Sequence, residues 1–327
     1  MRVLFLGGTR FIGLAAVRLL AARGHQIAVF HRGETKAALP ASVVRLMGDR
    51  ARLGDSKAIL RGFAPDVIVD MFAMTEAHTR ALVDTLGSAA HRFVVASSSD
   101  VYRARDRVWR VESGAPDPTP LAEDAPLRTT RFPYRAEATS ADEWLYDYDK
   151  IPVEEIARRD LDATVLRLPA VYGPGDYRKR VWEYLKPIVD GDDGIRIDAE
   201  HAAWRWTRGF VTNVAEAIAL AVVDDRAAGR IYNVGEIDAL TELEWAQAIA
   251  RAASYRGAVV AVPRAELTEA KRNEVAKLDF SQPWIIDTRR LRGELGYGET
   301  VEREEAIRTT VAWEMAHPPP AVPAASK

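Results

Sequence analysis

The chain has 327 residues, of which 48% are apolar and 28% charged, with a net charge of −2 and no cysteine. This is the composition of an ordinary soluble protein with one or two domains. The lack of cysteine excludes disulfides, zinc–thiolate sites and cysteine nucleophiles, and the charge favours neither a nucleic-acid partner nor a membrane. No apolar run reaches the ~18 residues of a membrane span and the histidines lack metal-ligand spacing, so we expect a cytoplasmic protein without a metal site.

The first 24 residues predict a strand, a glycine turn and a helix. An apolar run at 1–6 leads into GGTRFIG at 7–13, and residues 14–23 have helical apolar spacing that Gly24 ends. Backbone N–H groups converge at such a helix N-terminus, where the helix dipole favours an anion. We predict a dinucleotide pyrophosphate site, although a tight turn that binds nothing would use the same glycines. The predicted contacts are Gly7, Thr9, Arg10, Phe11, Ile12 and Gly13.

The next segments predict a doubly wound parallel sheet of the Rossmann type. Apolar runs at 26–30, 43–47, 66–70 and 91–96 are predicted strands, and residues 57–63 and 75–86 are predicted crossover helices. Strands that alternate with helices at this spacing form parallel sheets.

Residues at the strand ends are predicted to contact the remainder of the cofactor. An acid after the second strand would bind the ribose of NAD, whereas a cation would pair with the 2′-phosphate of NADP. His31 and Arg32 follow this strand without an intervening acid, which favours NADP(H), with NAD(H) as the alternative. The alternative interpretation of Arg32 is an ordinary solvated loop arginine. Further predicted contacts are Asp49, Arg50, Met71, Phe72 and Ala73.

Polar residues at 97–102 (SSSDVY) end the fifth predicted strand, at the edge where parallel sheets bind ligands. We predict that Ser97 contacts the cofactor, and that Ser99, Asp100 and Tyr102 contact the substrate. A serine-rich turn with a capping side chain is an equal alternative. Residues 103–143 contain five prolines and few regular patterns, which suits a loop that covers a substrate.

Tyr146 and Lys150 stand four residues apart, so on a helix they would share one face. A nearby ammonium lowers the pKa of a tyrosine, which can then exchange a proton with a substrate hydroxyl or carbonyl. Pro152 removes one helical N–H bond, so this helix must bend or start late. If it starts at Lys150, the two side chains need not share a face.

Together these motifs resemble the extended or atypical short-chain dehydrogenase/reductases, in the NAD(P)-dependent epimerase/dehydratase group. The resemblance includes GGTRFIG at 7–13, SSSDVY at 97–102 and YDYDK at 146–150. It continues through RLPAVYGPGD at 167–176, RGFV at 208–211 and YNVG at 232–235. Arg10 departs from the pattern because it replaces the usual middle glycine of the cofactor fingerprint.

The resemblance implies an NAD(P)-dependent reductase or epimerase that moves hydride at a hydroxyl or carbonyl carbon of a small molecule or sugar nucleotide. It implies that Ser98 binds the reacting oxygen, Tyr146 moves the proton and Lys150 holds the nicotinamide ribose. It also places Pro169 and Val171 along the nicotinamide, and Tyr172 and Arg208 at the substrate. A dehydratase with Asp100 as base is an alternative. A non-redox cofactor-sensing or RNA-binding protein is the rival class, and a homodimer is expected.

The predicted domains are a dinucleotide-binding domain at 1–170, to which 209–236 return, and a smaller mixed α/β substrate region at 171–327. Helices are predicted at 177–188, 213–223, 243–253, 288–295 and 302–315. Residues 195–206 are predicted to be strand-like. For Trp204 and Trp206, packing in the core is favoured over the alternative of stacking on a sugar or aromatic substrate. Residues 318–327 are predicted to be a frayed tail.

Overall fold

A computed structural model describes residues 1–320 of the chain. Its strands are β1 (Arg2–Leu6), β2 (Gln26–His31), β3 (Val44–Met47), β4 (Val67–Asp70), β5 (Arg92–Ser98), β6 (Thr164–Leu168), β7 (Ala170–Tyr172), β8 (Gly194–Asp198), β9 (Arg208–Phe210), β10 (Ile231–Asn233) and β11 (Ala258–Val262). Its α-helices are α1 (Phe11–Ala22), α2 (Lys57–Gly62), α3 (Glu76–Leu86), α4 (Arg103–Val108), α5 (Lys150–Leu161), α6 (Trp182–Asp190), α7 (Ala199–Ala203), α8 (Val211–Val223), α9 (Glu242–Ala252), α10 (Glu269–Val275), α11 (Arg289–Leu295) and α12 (Arg303–Ala316).

Seven strands form one parallel sheet in the order β10-β6-β5-β4-β1-β2-β3. The chain order reverses at β1, which pairs with β2 on one side and with β4 on the other. The predicted doubly wound sheet is therefore confirmed. In sheets of this kind, ligands bind at the carboxyl ends of the strands beside such a reversal.

The inner strands β1 and β4 are buried on both faces of the sheet and are almost entirely apolar, whereas the edge strand β3 is largely exposed. Along β1, Val3 and Phe5 join the core on one face of the sheet, whereas Leu4 and Leu6 join the core on the other. This follows from the two-residue period of a strand. Helix α1 packs against α8 in one layer, and α3 packs against α5 in another. The sheet therefore lies between two layers of helices.

The second half of the chain contributes both to this sheet and to smaller parallel pairs. β10 returns to the sheet beside β6, while β7 pairs with β9 and β8 with β11. A third apolar cluster joins α4 to residues 262–286. In the part of the chain that the structure describes, no helix has the length and apolar character needed to cross a membrane.

Three predicted segments differ from the observed ones. The predicted strand at 195–206 ends at Asp198, whose carboxylate accepts hydrogen bonds from the N–H groups of Glu200 and His201 and so starts α7. The predicted helix at 177–188 begins only at Trp182, because Asp176 binds the N–H groups of a preceding turn. Residues 103–143 are largely irregular, as expected, but include α4. The predicted tail lies, from residue 321 onward, outside the described residues.

Candidate active site

The glycine turn between β1 and α1 depends on the absence of side chains. Gly7 and Gly8 have φ values of +88° and +96°, in the left-handed region that favours glycine. A Cβ atom on Gly13 would lie 2.7 Å from the Cα of Gly8, so the first turn of α1 touches the turn itself. The N-cap residue, Arg10, provides no side-chain capping bond within the described residues. The first N–H groups of α1 therefore meet no capping oxygen from Arg10.

Several predicted cofactor residues surround this turn. Met71 packs beside Gly7, where an added Cβ would lie 3.5 Å from the Met71 Cβ. The Phe11 ring lies edge-on to Tyr177, with their centroids 6.4 Å apart. Thr9 and Ile12 are half-buried beside the turn. The turn is thus enclosed between the end of β4 and the 173–177 segment.

Arg10 and Arg32 both lie against the loop that follows β2. Arg10 Nε donates to the Thr35 hydroxyl at 2.8 Å. Arg32 forms a 2.8 Å ion pair with Glu34, and both side chains are about 60% exposed. Burial and the nearby Arg45 lower the pKa of His31, which accepts a hydrogen bond from the Gly33 N–H. Glu34, which stands two residues after Arg32, is therefore a neighbour of Arg32 that the sequence analysis missed.

The side chains of Asp49 and Arg50 form hydrogen bonds to other groups of the protein. Asp49 accepts from the Ala51 N–H at 2.9 Å and caps a short 3-10 helix. Arg50 is buried and donates to Asp70 at 2.6 Å and to the His78 carbonyl at 2.8 Å. Asp70 in turn accepts from the Phe72 N–H at 2.9 Å. These contacts hold the segment that carries Met71, Phe72 and Ala73.

Ser98, Asp100 and Lys150 converge at the carboxyl ends of β4 and β5. Ser98 Oγ accepts from the Asp100 N–H at 3.2 Å. Lys150 is buried, and its Nζ donates to the carbonyls of Ala73 at 2.7 Å and Ala96 at 2.9 Å. The Asp100 carboxylate is buried too, yet its Oδ1 has no hydrogen-bond partner among residues 1–320. Ser99 is buried beside it.

The tyrosine that approaches these groups is Tyr148. Its hydroxyl donates to Asp100 Oδ2 at 2.8 Å, and its ring centroid lies 5.7 Å from Lys150 Nζ. A second phenol, that of Tyr134, donates to the same Asp100 oxygen at 3.1 Å. Burial and the negative charge of Asp100 hold the pKa of Tyr148 well above its usual value, and a hydrogen bond with Ser98 partly opposes this. Burial lowers the pKa of Lys150 to about 8.

Tyr146 does not form the expected helical pair with Lys150. Asp149 is the N-cap of α5, so the helix starts at Lys150 and Tyr146 lies in the turn before it. The Tyr146 ring packs against the Arg135 guanidinium, 4.3 Å away, and its hydroxyl forms no hydrogen bond within the described residues. The interpretation of Tyr146 and Lys150 as one helix face is therefore wrong.

Ser97 and Tyr102 lie in a buried polar network instead of an open pocket. Ser97 Oγ donates to Glu154 at 2.5 Å, and Arg167 binds the same carboxylate at 2.7 Å. Arg167 also donates to the Tyr102 hydroxyl at 3.0 Å, and that hydroxyl donates to Asn233 at 2.7 Å. The network joins β5, α5, β6 and β10 directly beneath the site. Sequence reasoning missed Glu154 because its partners are distant in the chain.

The remaining predicted residues lie between the sheet and the second half of the chain. Pro169 and Val171 are buried there. The Tyr172 hydroxyl donates to Glu236 at 2.7 Å, and Arg208 pairs with Glu242. Trp204 is buried, with its indole N–H on the Gln282 carbonyl at 2.6 Å, as core packing requires. Tyr172 and Arg208 thus reach a ligand only if these carboxylates release them.

A parallel sheet with a glycine turn at its reversal point defines a Rossmann-type dinucleotide-binding fold. The sequence model of the NAD dependent epimerase/dehydratase family matches residues 3–235, and the chain belongs to this family. The predicted family is therefore confirmed.

Two curated relatives and one solved structure illustrate the similarity. The chain is 24% identical over 273 residues to the chloroplast stem-loop binding protein of 41 kDa b from Arabidopsis thaliana, covering 78% of this chain and 64% of that protein. It is 26% identical over 320 residues to dTDP-glucose 4,6-dehydratase from Streptomyces griseus, covering 94% and 85%. The UDP-glucose 4-epimerase of Thermotoga maritima superposes with a TM-score of 0.71 at 17% identity, covering 97% and 99%, and so shares the fold.

Proposed function

We propose that this chain is an NAD(P)-dependent oxidoreductase or epimerase that moves hydride at a hydroxyl or carbonyl carbon of a small molecule or sugar nucleotide. The observation that carries the proposal is the convergence of the glycine turn with Ser98, Asp100 and Lys150 at one edge of the sheet. Family membership and the sugar-nucleotide reactions named for two of the proteins compared above support it. A cytoplasmic location and a homodimer belong to the same proposal.

The residues at this edge fit a dinucleotide. Side chains at Gly7 and Gly13 would fill the space beside the turn, and the N–H groups at the start of α1 suit a pyrophosphate. Met71 and Ala73 would line the middle of the cofactor, and Pro169 and Val171 its nicotinamide end. When bound, the nicotinamide supplies or accepts the hydride.

The chain's own contribution is to position the substrate and stabilise charge. Ser98 is half-buried at the end of β5, and its hydroxyl would donate to the reacting oxygen of the substrate. Lys150 is anchored by two carbonyls, so its ammonium is held in place without a counterion in direct contact among residues 1–320. A fixed positive charge stabilises an alkoxide as it forms. Lys150 would also bind the ribose hydroxyls of the nicotinamide.

Arg10 and Arg32 favour NADP(H) over NAD(H) in this proposal. Arg32 lies on the loop after β2, where the adenosine ribose binds in such folds, and the Arg10 guanidinium reaches this loop from the start of α1 by donating to the Thr35 hydroxyl. Glu34 competes with a 2′-phosphate for Arg32, which reduces the expected preference.

An Arg32→Ala variant tests this preference. Loss of one exposed, charge-assisted contact predicts about a tenfold weaker NADPH affinity and little change for NADH. Arg226→Ala is the matched control, because Arg226 also pairs with an acid two residues away, at 2.6 Å, on an exposed surface. Equal losses of affinity for NADPH and NADH would show that Arg32 does not select the 2′-phosphate.

The function itself is tested by titrating the purified protein with NADPH, NADH, NADP and NAD, after any retained nucleotide has been released and identified. Turnover is then followed with phenanthrenequinone, UDP-glucose and dTDP-glucose. NADPH binding with reduction of the quinone supports a reductase, and retained NAD with conversion of a sugar nucleotide supports an epimerase or dehydratase. The test includes the dehydratase alternative because Asp100, which would be its base, has a carboxylate oxygen, Oδ1, without a hydrogen-bond partner in the described chain. Binding of none of the four nucleotides would favour the non-redox or RNA-binding rival.

A further inference from the structure

We propose that Tyr148, in place of Tyr146, exchanges the proton with the reacting oxygen of the substrate, and that Asp100 is the group with which Tyr148 exchanges its own proton. This inference rests on the proposed function, because it names the proton route of the same hydride-transfer site. It assigns the acid–base role to a tyrosine two residues before Lys150.

The local chain direction explains why Tyr148 approaches the site. Asp149 accepts from the Ile151 N–H at 3.3 Å and is held by Arg128 at 2.6 Å, which starts the helix at Lys150. Pro152 then occupies the first turn, where a missing N–H costs nothing. Before the helix the backbone is extended at Asp149, with φ −160° and ψ 112°. Residues on either side of an extended residue point the same way, so Tyr148 and Lys150 do so.

Backbone contacts fix Tyr148 at the end of β4. The Asp149 N–H donates to the Met74 carbonyl at 3.1 Å, and Tyr148 forms a bridge with Thr75. These contacts join the segment before α5 to the segment that follows Ala73, which is itself a partner of Lys150. Tyr148 and Lys150 are thus anchored to the same part of the sheet edge.

Asp100 has the contacts of a proton acceptor. Its Oδ2 receives two phenolic hydrogen bonds, from Tyr148 and Tyr134, while its backbone carbonyl accepts from Arg128 at 3.0 Å. Its buried Oδ1 has no partner in the described chain. An unsatisfied buried carboxylate oxygen is costly, and a site that accepts a proton or a substrate hydroxyl accounts for it. Burial lowers the pKa of Lys150, and the charge of Asp100 is the largest effect that opposes this.

Two aromatic rings lie against Tyr148, where a substrate hydroxyl would approach Tyr148 and Asp100. The Tyr134 ring centroid lies 5.2 Å from that of Tyr148, and the Trp144 centroid lies 6.0 Å from it. Both covering rings belong to the irregular segment before α5. The Tyr134 hydroxyl donates to Asp100 as a substrate hydroxyl would, and substrate binding would displace it.

The proton and electron balance is complete for alcohol oxidation. The substrate O–H bond breaks and its proton joins the Tyr148 oxygen, while the original phenolic proton of Tyr148 passes to Asp100 Oδ2. The C–H bond at the same carbon would break with its electron pair, and a bound oxidised nicotinamide would supply the hydride acceptor. The products are a carbonyl compound, reduced nicotinamide and a protonated Asp100, and carbonyl reduction is the reverse.

Four variants test the route: Tyr148→Phe, Asp100→Asn, Tyr146→Phe and, as a matched surface control, Tyr255→Phe. Nucleotide affinity and the kcat for quinone reduction are measured for each. We expect Tyr148→Phe to lower kcat by about 10²- to 10⁴-fold, with nucleotide affinity within about twofold of wild type. The loss in Tyr146→Phe should be at least about tenfold smaller. Wild-type turnover by Tyr148→Phe, or equal losses in both tyrosine variants, would overturn the route.

A second measurement does not depend on turnover or on a correct substrate. The phenol of Tyr148 is followed by NMR in protein labelled at the tyrosine Cζ, in wild type and in Asp100→Asn. The route predicts that Tyr148 ionises at higher pH than Tyr255 in wild type and at lower pH once the Asp100 charge is removed. An unchanged Tyr148 titration in Asp100→Asn would contradict it. Failure of the proposed function is distinct from this, since it shows as a wild-type protein that binds no nucleotide.

Discussion

Arg167 offers a direct test of the packing beneath the site. In β6, only 2% of its side chain is exposed, and it binds Glu154 through Nη2 at 2.7 Å and Nε at 3.0 Å. Its Nη1 also donates to the Tyr102 hydroxyl at 3.0 Å and to the Glu123 carbonyl at 2.7 Å. An Arg167→Met substitution keeps much of the volume and removes the charge. The Glu154 carboxylate would then be buried with the Ser97 hydroxyl as its remaining partner.

The expected loss follows from the burial of the remaining charge. Removing one partner of a buried ion pair costs about 3–5 kcal/mol, because the other charge stays desolvated. The matched control is Arg80→Met: Arg80 pairs with Glu76 at 2.7 Å, but both side chains are about half exposed. Such surface pairs contribute about 0–1 kcal/mol.

Urea unfolding at neutral pH measures both variants. The double variant Glu154→Gln/Arg167→Met should be less destabilised than Arg167→Met, because it leaves no unpaired carboxylate. An Arg167→Met variant within about 1 kcal/mol of wild type would show that this buried pair does not hold β5, α5 and β6 together.

Two further predictions concern backbone contact and pH. Gly13→Ala should lower the free energy of unfolding in urea by about 1–3 kcal/mol and remove most of the nucleotide affinity, because the new Cβ would lie 2.7 Å from Gly8 Cα. The control is Gly54→Ala, whose Cβ would point into open space, and it should match wild type. Burial and the charge of Asp176 raise the pKa of Glu314 from 4.5 to about 7, although Lys179 and Arg180 oppose this. Because the folded state holds that proton more tightly than the unfolded chain does, the free energy of unfolding should fall by about 1–3 kcal/mol as the pH rises from 4.5 to about 7. Urea unfolding measured over this pH range should show no such fall in Glu314→Gln.

Much of the fold could be predicted because its signals are local. The apolar runs that became β1, β2, β4 and β5 are contiguous, and the glycines after β1 directly precede the helix that they touch. The late start of α5 was also accessible, since Asp149 is a capping residue and Pro152 suits a first turn. The strand predicted at 195–206 is present only up to Asp198, because this capping aspartate outweighed the apolar pattern that follows it.

The order of residues was enough to predict the parallel sheet, the glycine turn, the family and the polar strand end at 97–102, because these depend on neighbours along the chain. Tertiary structure alone decided which tyrosine meets Asp100, 48 residues away, and that Ser97 faces Glu154, 57 residues away. Those contacts arise where β4, β5 and the start of α5 are brought together by the sheet. The direction in which a buried polar side chain points is set by the partner that satisfies it, and that partner is visible only in the folded protein.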